Sequence, residues 1–165
     1  MTKVKIKLNG GIMPKKATDG AAAYDLYVPE DVVLKNGRQI VDLKFSLELP
    51  HGYAATIQPR SGFSAKGIEA TKVFVDGSFS ADAESGVRVN GDVIRGLVDE
   101  DYRGNVGVII KASIKSHPYE KMVVKKGTRI AQMQIIEVPQ IELVEVDELT
   151  ETDRGEGGFG STGTR

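Results

Sequence analysis

An aspartate at position 99 directly follows the apolar run Gly96-Leu97-Val98, in the stretch GLVDEDYRGNVGVII. A carboxylate at the end of an apolar strand, held by burial close to a water molecule, can act as a general base. The same stretch places three acids and a tyrosine between two apolar runs, which is also typical of a solvated hairpin tip. The residues alone leave both interpretations open.

A second candidate is the turn-like stretch QPRSGFSAKG at 58–67. Pro59 fixes the backbone, Arg60 offers a planar cation, and Ser61-Gly62 offers a hydroxyl group and bare backbone amides. These groups suit a turn that contacts phosphate. The alternative is a plain loop between two strands, which this stretch alone favours.

Asp25 lies in the strand-like stretch ATDGAAAYDLY, between Tyr24 and Leu26. An acid inside a strand either faces solvent or partners a hard cation, whose preferred ligands are oxygen atoms. Taken alone, the stretch favours the outward-facing interpretation. His51 and His117 each stand beside a proline with no cluster of acids around them, so we expect both at the surface and no zinc site.

The chain closes on RGEGGFGSTG at 154–163, which matches the G-x-G-x-x-G dinucleotide fingerprint through Gly155, Gly157 and Gly160. We reject that match because the fingerprint needs a following helix, and the chain ends five residues after Gly160. Ordering costs about 1–2 kcal/mol of backbone entropy per residue, which so little apolar surface cannot offset. We expect this arm to order only over a ligand.

Charge and composition exclude several classes of protein. Lys and Arg total 22 against 23 Asp and Glu, so no bulk positive field exists for direct nucleic-acid binding. Cysteine is absent, which removes disulfides, thiolate metal sites and cysteine nucleophiles. No run has the length of a membrane span and the N-terminus carries no apolar signal core, so we expect a cytoplasmic protein. A nuclear location or a phage-encoded origin stays open as an alternative.

The elements that position these residues are predicted to be strands, because helical periodicity is almost absent. Short runs with alternating or β-branched apolar residues, separated by turn residues, occur at 4–8, 24–28, 31–34, 40–49, 53–57, 106–114, 122–124, 129–138 and 141–146. Many short strands with no helices between them indicate a sandwich, jelly roll or barrel. We predict a β domain over 1–150, interrupted by an irregular insertion at about 67–92, and a flexible glycine-rich arm over 151–165.

Five stretches, in order along the chain, resemble the motifs of the trimeric dUTP diphosphatases, the dUTPases. They are ATDGAAAYDLY, PRSGFSAKG, GLVDEDYRGNVGV, KGTRIAQMQI and RGEGGFGSTG, and they span residues 17 to 163. The resemblance implies an all-β jelly roll or distorted β-barrel that assembles as a homotrimer with three active sites at subunit interfaces. It implies hydrolysis of dUTP to dUMP and pyrophosphate by water attack on the α-phosphate, with Mg²⁺ as the cofactor. Such an enzyme limits uracil incorporation into DNA and supplies dUMP for thymidylate synthesis.

The resemblance also assigns roles to residues. Asp99 matches the general base, Tyr102 the aromatic ring that packs on deoxyribose and leaves no room for a 2′-hydroxyl, and Asp25 the acid that holds the metal through water. Arg154 matches a γ-phosphate clamp and Phe159 a lid over uracil, both reaching another subunit's site. The full set of implied substrate-binding residues is Arg60, Ser61, Gly62, Gly96, Leu97, Val98, Tyr102, Gln132, Arg154, Phe159, Gly160, Ser161 and Thr162.

The chain departs from the family pattern in a few places. Ala23 replaces a usual glycine, and Phe63 and Met133 replace usual leucines. Asp99 follows Lys66 by 33 positions, more than is usual, and the excess lies in the 67–92 region. That insertion is a passive surface loop, a lid, or a surface for a regulatory protein partner. Two other functions stay open, a dCTP deaminase-like relative and a nucleotide-sensing regulatory binding protein.

Overall fold

The computed structural model describes residues 2–74, 86–114 and 120–157 and confirms the all-β prediction. Within these ranges the chain forms eleven strands and one short helix. The strands are β1 (Lys5–Leu8), β2 (Tyr24–Tyr27), β3 (Val32–Val33), β4 (Gly37–Glu48), β5 (Tyr53–Gln58), β6 (Ile68–Phe74), β7 (Val87–Ile94), β8 (Gly96–Val98), β9 (Asn105–Ser113), β10 (Glu120–Val124) and β11 (Arg129–Glu137), and the helix is α1 (Ser61–Lys66). In the part of the chain that the structure describes, no helix combines the length and apolar character of a membrane span.

Two antiparallel sheets make up the jelly roll. The larger has seven strands in the order β1-β4-β9-β7-β6-β10-β3, and the smaller has four in the order β2-β11-β5-β8. The twelve-residue β4 shows why the sheets face each other: its alternate residues Val41, Leu43, Phe45 and Leu47 are buried. Because side chains in a strand alternate between faces, one face of β4 is apolar and must be covered.

One hydrophobic core joins the two sheets. Its largest fully buried side chains come from both, and they include Phe45, Leu43, Val108 and Ile110 of the larger sheet and Leu26, Ile57 and Ile130 of the smaller. Burying a side chain of this size stabilises the fold by about 1.5–3 kcal/mol. The small sheet is therefore fixed against the large one, and both candidate site regions are carried on the small sheet.

The prediction of irregular structure at 67–92 is wrong for the described part of that range. β6 and β7 pair in an antiparallel ladder in which Ile68 faces Val89 and Ala70 faces Val87. Ile68, Ala70 and Val89 are buried, so the inward positions do alternate. The many small and polar residues of the other face hid this period in the sequence. Residues 75–85 lie outside the described residues.

The predicted strand at 141–146 is also wrong within this chain. The last strand ends at Glu137, and Ile141, Leu143 and Val146 are 74%, 94% and 55% exposed. Their spacing is strand-like, but a strand needs a neighbour for its backbone hydrogen bonds. No such neighbour is present among the described residues of the same chain. The predicted boundary between domain and arm at 150 stays a prediction.

Candidate active site

The first group of predicted site residues lies where β2, β11 and β5 run side by side, and we call it the phosphate-turn half-site. Gln132 of β11 faces Asp25 of β2 on one side and Gln58 of β5 on the other. After Gln58 the chain turns through Pro59 into α1. A cleft of about 270 Å³ opens here, lined by Ala17, Ala21, Ala22, Ala23, Asp25, Gln58, Arg60, Ser61, Gly62 and Gln132.

Asp25 is buried, so the outward-facing interpretation is wrong. Its Oδ1 lies 2.8 Å from Nε of Arg60, and its Oδ2 accepts a hydrogen bond of 3.3 Å from Arg129. A carboxylate at 7% exposure requires such partners, because desolvating an unpaired charge is costly. Arg129 was not among the predicted site residues. The only sequence signal for it was its place in KGTRIAQMQI, two and three residues before the strand positions that face Leu26 and Asp25.

The phosphate turn itself is held by Gln132. The side-chain amide of Gln132 donates a 3.0 Å hydrogen bond to the carbonyl oxygen of Pro59. Arg60 is extended, with φ −86° and ψ 143°, and its carbonyl accepts from the amides of Phe63 and Ser64. The amides of Ser61 and Gly62 precede the first intrahelical donor, so helix geometry gives them no partner in α1. This turn can present two amides, a hydroxyl and a guanidinium to an anion.

The second group, which we call the base half-site, lies at the far edge of the small sheet. Strand β8 pairs with β5, with Val98 opposite Ala55, and Asp99 follows it directly. Asp99 and Tyr102 share a cleft of about 210 Å³, lined by Ile57, Ile94, Gly96, Leu97, Val98, Asp99, Tyr102, Asn105, Val106, Gly107 and Ile109. Asp99 is exposed in the single chain, so its own subunit does not supply the burial that was predicted to hold it near a water molecule.

The tip that carries Asp99 is tied down by its neighbours. Glu100 accepts a 2.6 Å hydrogen bond from the Gly52 amide and one of 2.8 Å from the His51 ring. The His51 contact, followed by the Gly52 amide, holds the pKa of Glu100 below its usual value. His51 is a surface residue, as expected, with its side chain 79% exposed. His117 lies outside the described residues.

The two half-sites are far apart in one chain. Three strand spacings separate β2 from β8, which is about 14 Å, and the register places Asp99 about four residues, or about 13 Å, along β5 from Gln58. Asp99 and Asp25 are therefore on the order of 20 Å apart. A single chain does not bring the predicted base to the predicted phosphate turn.

A strongly basic cleft of about 530 Å³ adjoins the phosphate-turn half-site, sharing Arg60 and Gly62 with it. Its charged lining residues are Arg60, Lys66, Arg88, Lys126, Arg129 and the single acid Glu69, which pairs with Arg88 at 3.0 Å. With Asp25 counted against the two arginines it binds, this face keeps a surplus of positive charge. Such a surplus attracts anions toward the adjacent phosphate turn.

The arm is described only as far as residue 157. Its Arg154 donates from Nε to the carbonyl of Gly157 at 2.7 Å, within an exposed turn. Arg154 lines neither half-site of its own chain. The remaining predicted arm contacts, Phe159, Gly160, Ser161 and Thr162, lie outside the described residues. Among the residues that are described, no group of three or more His, Cys, Asp or Glu side chains could hold a metal ion alone.

Comparison with known proteins places this architecture in a family. A family model described as dUTPase matches residues 9–81 and 82–163. The deoxyuridine 5′-triphosphate nucleotidohydrolase of Nautilia profundicola is 38% identical, over 98% of this chain and 99% of its own. The dUTPase of Staphylococcus bacteriophage 80alpha, solved with dUpNHpp, shares the fold with a TM-score of 0.74 at 24% identity, over 99% of both chains. A mutant dUTPase of phage phi11 of S. aureus, solved with a structural Mg(II) ion, has a TM-score of 0.66 at 21% identity, over 89% of this chain and 98% of its own. Because the family model and a relative of 38% identity each cover nearly the whole chain, this chain belongs to the dUTPase family.

Proposed function

We propose that the chain hydrolyses dUTP to dUMP and pyrophosphate as a homotrimer, each active site joining the base half-site of one subunit to the phosphate-turn half-site of another. The observation that carries the proposal is the separation of Asp99 from Asp25 and Arg60. One water, one α-phosphorus and one base must meet within hydrogen-bond reach. Under this proposal the base comes from one copy of the chain and the phosphate turn from another. The product dUMP serves thymidylate synthesis, and removing dUTP limits uracil in DNA.

In the proposed reaction, Asp99 accepts a proton from water as the water oxygen bonds to the α-phosphorus. The bond from that phosphorus to the bridging oxygen breaks, and pyrophosphate leaves. Because Asp99 is exposed in its own chain, the neighbouring subunit and the nucleotide must enclose it. The second subunit's Arg60, Ser61 and Gly62 would bind the departing phosphates, with Gln132 holding their turn through Pro59.

Base selection would come from the backbone of β8. Among the described residues, β8 is the last strand of the small sheet and pairs with β5 alone. Its outer edge therefore presents backbone donors and acceptors, which can pair with the edge of uracil. Tyr102 is 46% exposed beside this edge and can pack on the deoxyribose of the same nucleotide. Leu97, at 61% exposure, adds apolar surface.

Mg²⁺ fits the phosphate-turn half-site only with help from the substrate. Asp25 lines the cleft, but each of its oxygens already contacts an arginine. Magnesium keeps several of its waters and is commonly bound by one or two carboxylates plus substrate phosphates, so Asp25 would hold the ion through water. When bound, the ion neutralises charge on the phosphate oxygens.

The exposed apolar side chains of residues 138–149 are a second argument for the proposed trimer. Ile141, Leu143, Val144, Val146 and Leu149 are all exposed by more than half. Apolar side chains exposed in this number are expected to pack on a second subunit. The arm that follows, with Arg154 and Phe159, would then close over a neighbour's nucleotide and exclude water.

Subunit mixing tests the composite site. Asp99→Asn and Arg60→Ala homotrimers should each be nearly inactive, whereas trimers refolded from an equal mixture should regain activity. A site is intact when its base comes from the Arg60→Ala chain and its phosphate turn from the Asp99→Asn chain, which is about one site in four. Mixing two Asp99→Asn preparations is the control. Mixed trimers as inactive as their parents would contradict the shared site.

Three further expectations accompany this proposal. The family match does not favour a dCTP deaminase, and ammonia release from dCTP would be its signature. A regulatory protein partner at 67–92 stays a prediction, to be checked by comparing partner capture with and without residues 75–85. A cytoplasmic location and the absence of direct nucleic-acid binding also stay predictions.

A further inference from the structure

Glu100 stands between Asp99 and Asp101 in the connection from β8 to β9, yet its side chain bonds to a different part of the fold. Its Oε2 accepts from the Gly52 amide at 2.6 Å, and its Oε1 lies 2.8 Å from Nδ1 of His51. Gly52 and His51 belong to the turn between β4 and β5. Glu100 therefore ties the β8–β9 connection to the start of β5.

The other bonds of this connection are local. Arg103 donates to the carbonyls of Glu100 and Tyr102 at 2.5 and 3.1 Å, and the Tyr102 amide donates to the Asp99 carbonyl at 3.2 Å. The Tyr102 hydroxyl donates to the carbonyl of Asn105 at 3.1 Å. Within the described ranges, Glu100 is the one residue of 99–104 whose hydrogen bonds reach beyond this connection and Asn105, the adjoining first residue of β9. The local hydrogen bonds hold residues 99–104 together, and Glu100 fixes their position relative to the turn between β4 and β5.

Asp99 depends on this anchor because it is exposed and its carboxylate has no hydrogen bond or ion pair to another described residue. The direction of its carboxylate follows the backbone of its immediate neighbour, Glu100. Tyr102 moves together with the rest of residues 99–104. Displacing a reacting group by about 1 Å can cost about 10²-fold in rate.

We propose that Glu100 is a positioning residue for dUTP hydrolysis, which sets Asp99 and Tyr102 by holding the Gly52 amide. This inference rests on the proposed function. The length of the Glu100 side chain, rather than its charge, decides whether Glu100 can hold the Gly52 amide. The contact with His51 is exposed and becomes an ion pair only when the imidazole is protonated, and exposed ion pairs contribute little.

Two substitutions separate reach from charge. Glu100→Gln keeps the length and an oxygen acceptor for the Gly52 amide, whereas Glu100→Asp keeps the charge but is one methylene too short. We expect kcat for dUTP within about 3-fold of the unaltered chain for Glu100→Gln and a loss of about 10-fold or more for Glu100→Asp. The Asp variant should also lose part of its preference for dUTP over UTP, since Tyr102 shifts. A Glu100→Asp variant as active and selective as Glu100→Gln would overturn the proposal.

Two controls keep the result specific. Glu30→Ala removes an exposed ion pair, with Lys44 at 2.6 Å, away from both half-sites, and His51→Ala removes only the imidazole that contacts Glu100. Both should leave kcat within about 3-fold, at similar thermal midpoints. If either lowers kcat and selectivity as Glu100→Asp does, positioning through Gly52 is refuted.

Hydrogen exchange at the Gly52 amide measures its hydrogen bond to Glu100 independently of dUTP hydrolysis. It should be faster in Glu100→Asp than in Glu100→Gln, and equal rates would refute the anchor. Absence of dUTP hydrolysis by the unaltered chain would instead count against the proposed function alone.

Discussion

The base half-site depends on the Asp99 carboxylate, and the nearby Asp101 offers a matched control. Asp99 and Asp101 are both exposed acids of the same connection, but only Asp99 lines the cleft with Tyr102. Because a positioned base contributes about 10²–10⁴-fold, Asp99→Asn should lower kcat by that amount while the protein still binds dUpNHpp. Single-turnover hydrolysis and analogue binding measure the two effects. The Asp101→Asn control should stay close to the unaltered rate, and equal losses in both variants would speak against the assignment.

The surroundings of a single residue were predictable where they come from adjacent residues of the chain, and unpredictable where they come from distant strands. The order Gly96, Leu97, Val98, Asp99 in the sequence was enough to place an acid at the end of an apolar strand, as found. The burial of Asp25 was not predictable from its own stretch, because it depends on Arg60 and on Arg129, which is 104 positions away in sequence. A pattern of adjacent residues carries no information on partners that only the sheet brings together.

At the scale of elements, the β7–β9 pairing leaves no room for a side chain at Gly91. A Cβ there would overlap the carbonyl oxygen of Lys111 and come within 2.8 Å of Cδ1 of Ile68. Gly91→Ala should therefore lower the free energy of unfolding by about 1–3 kcal/mol, measured by urea denaturation. Gly20→Ala, where nothing lies within 4 Å, is the control and should change stability by less than about 0.5 kcal/mol. Equal effects would show that the constraint lies elsewhere.

A second element-scale prediction concerns the loop between β2 and β3. Asp31 accepts from the Lys125 ammonium at 2.6 Å and from the Lys126 amide at 2.8 Å, and these bonds, in that order, hold its pKa below the usual value. A depressed folded pKa stabilises the fold above the unfolded pKa, and this contribution is lost as pH falls through the folded value. The exposed pair should raise the thermal midpoint over that of Asp31→Asn by about 1–3 °C near neutral pH. The difference should shrink below about pH 4, and one that grows on acidification would contradict the assignment.

A strand was predictable from the sequence when its own residues alternate between apolar and polar. Runs such as 106–114 and 129–138 alternate clearly, and β9 and β11 lie there. β6 and β7 were missed because only four buried positions, Ile68, Ala70, Val89 and Val93, mark their inner face. The reverse error at 141–146 arose because a strand pattern says nothing about whether a partner exists in the same chain.

At the scale of the whole molecule, the arm should be separable from the fold. The described core of the two sheets ends with β11 at Glu137, and the turn at Arg154 contacts neither half-site. Truncation after Asp153 should leave the oligomer and its thermal midpoint intact, because no core residue is removed. It should lower kcat by about 10-fold or more, since the lid over the nucleotide is lost. Sedimentation and steady-state rates measure both, and an unchanged kcat would exclude a role for the arm in the reaction.

The position of strand β5 between the two half-sites predicts how a defective allele would behave in a cell. One of its ends leads to the phosphate turn and the other lies beside the acid-bearing tip, so in the proposed trimer a single copy serves two different catalytic centres. A polypeptide defective at both ends would then spoil two centres in any assembly it enters. In a cell making normal and defective copies equally, output would fall to about one quarter rather than one half, so such an allele would behave as dominant.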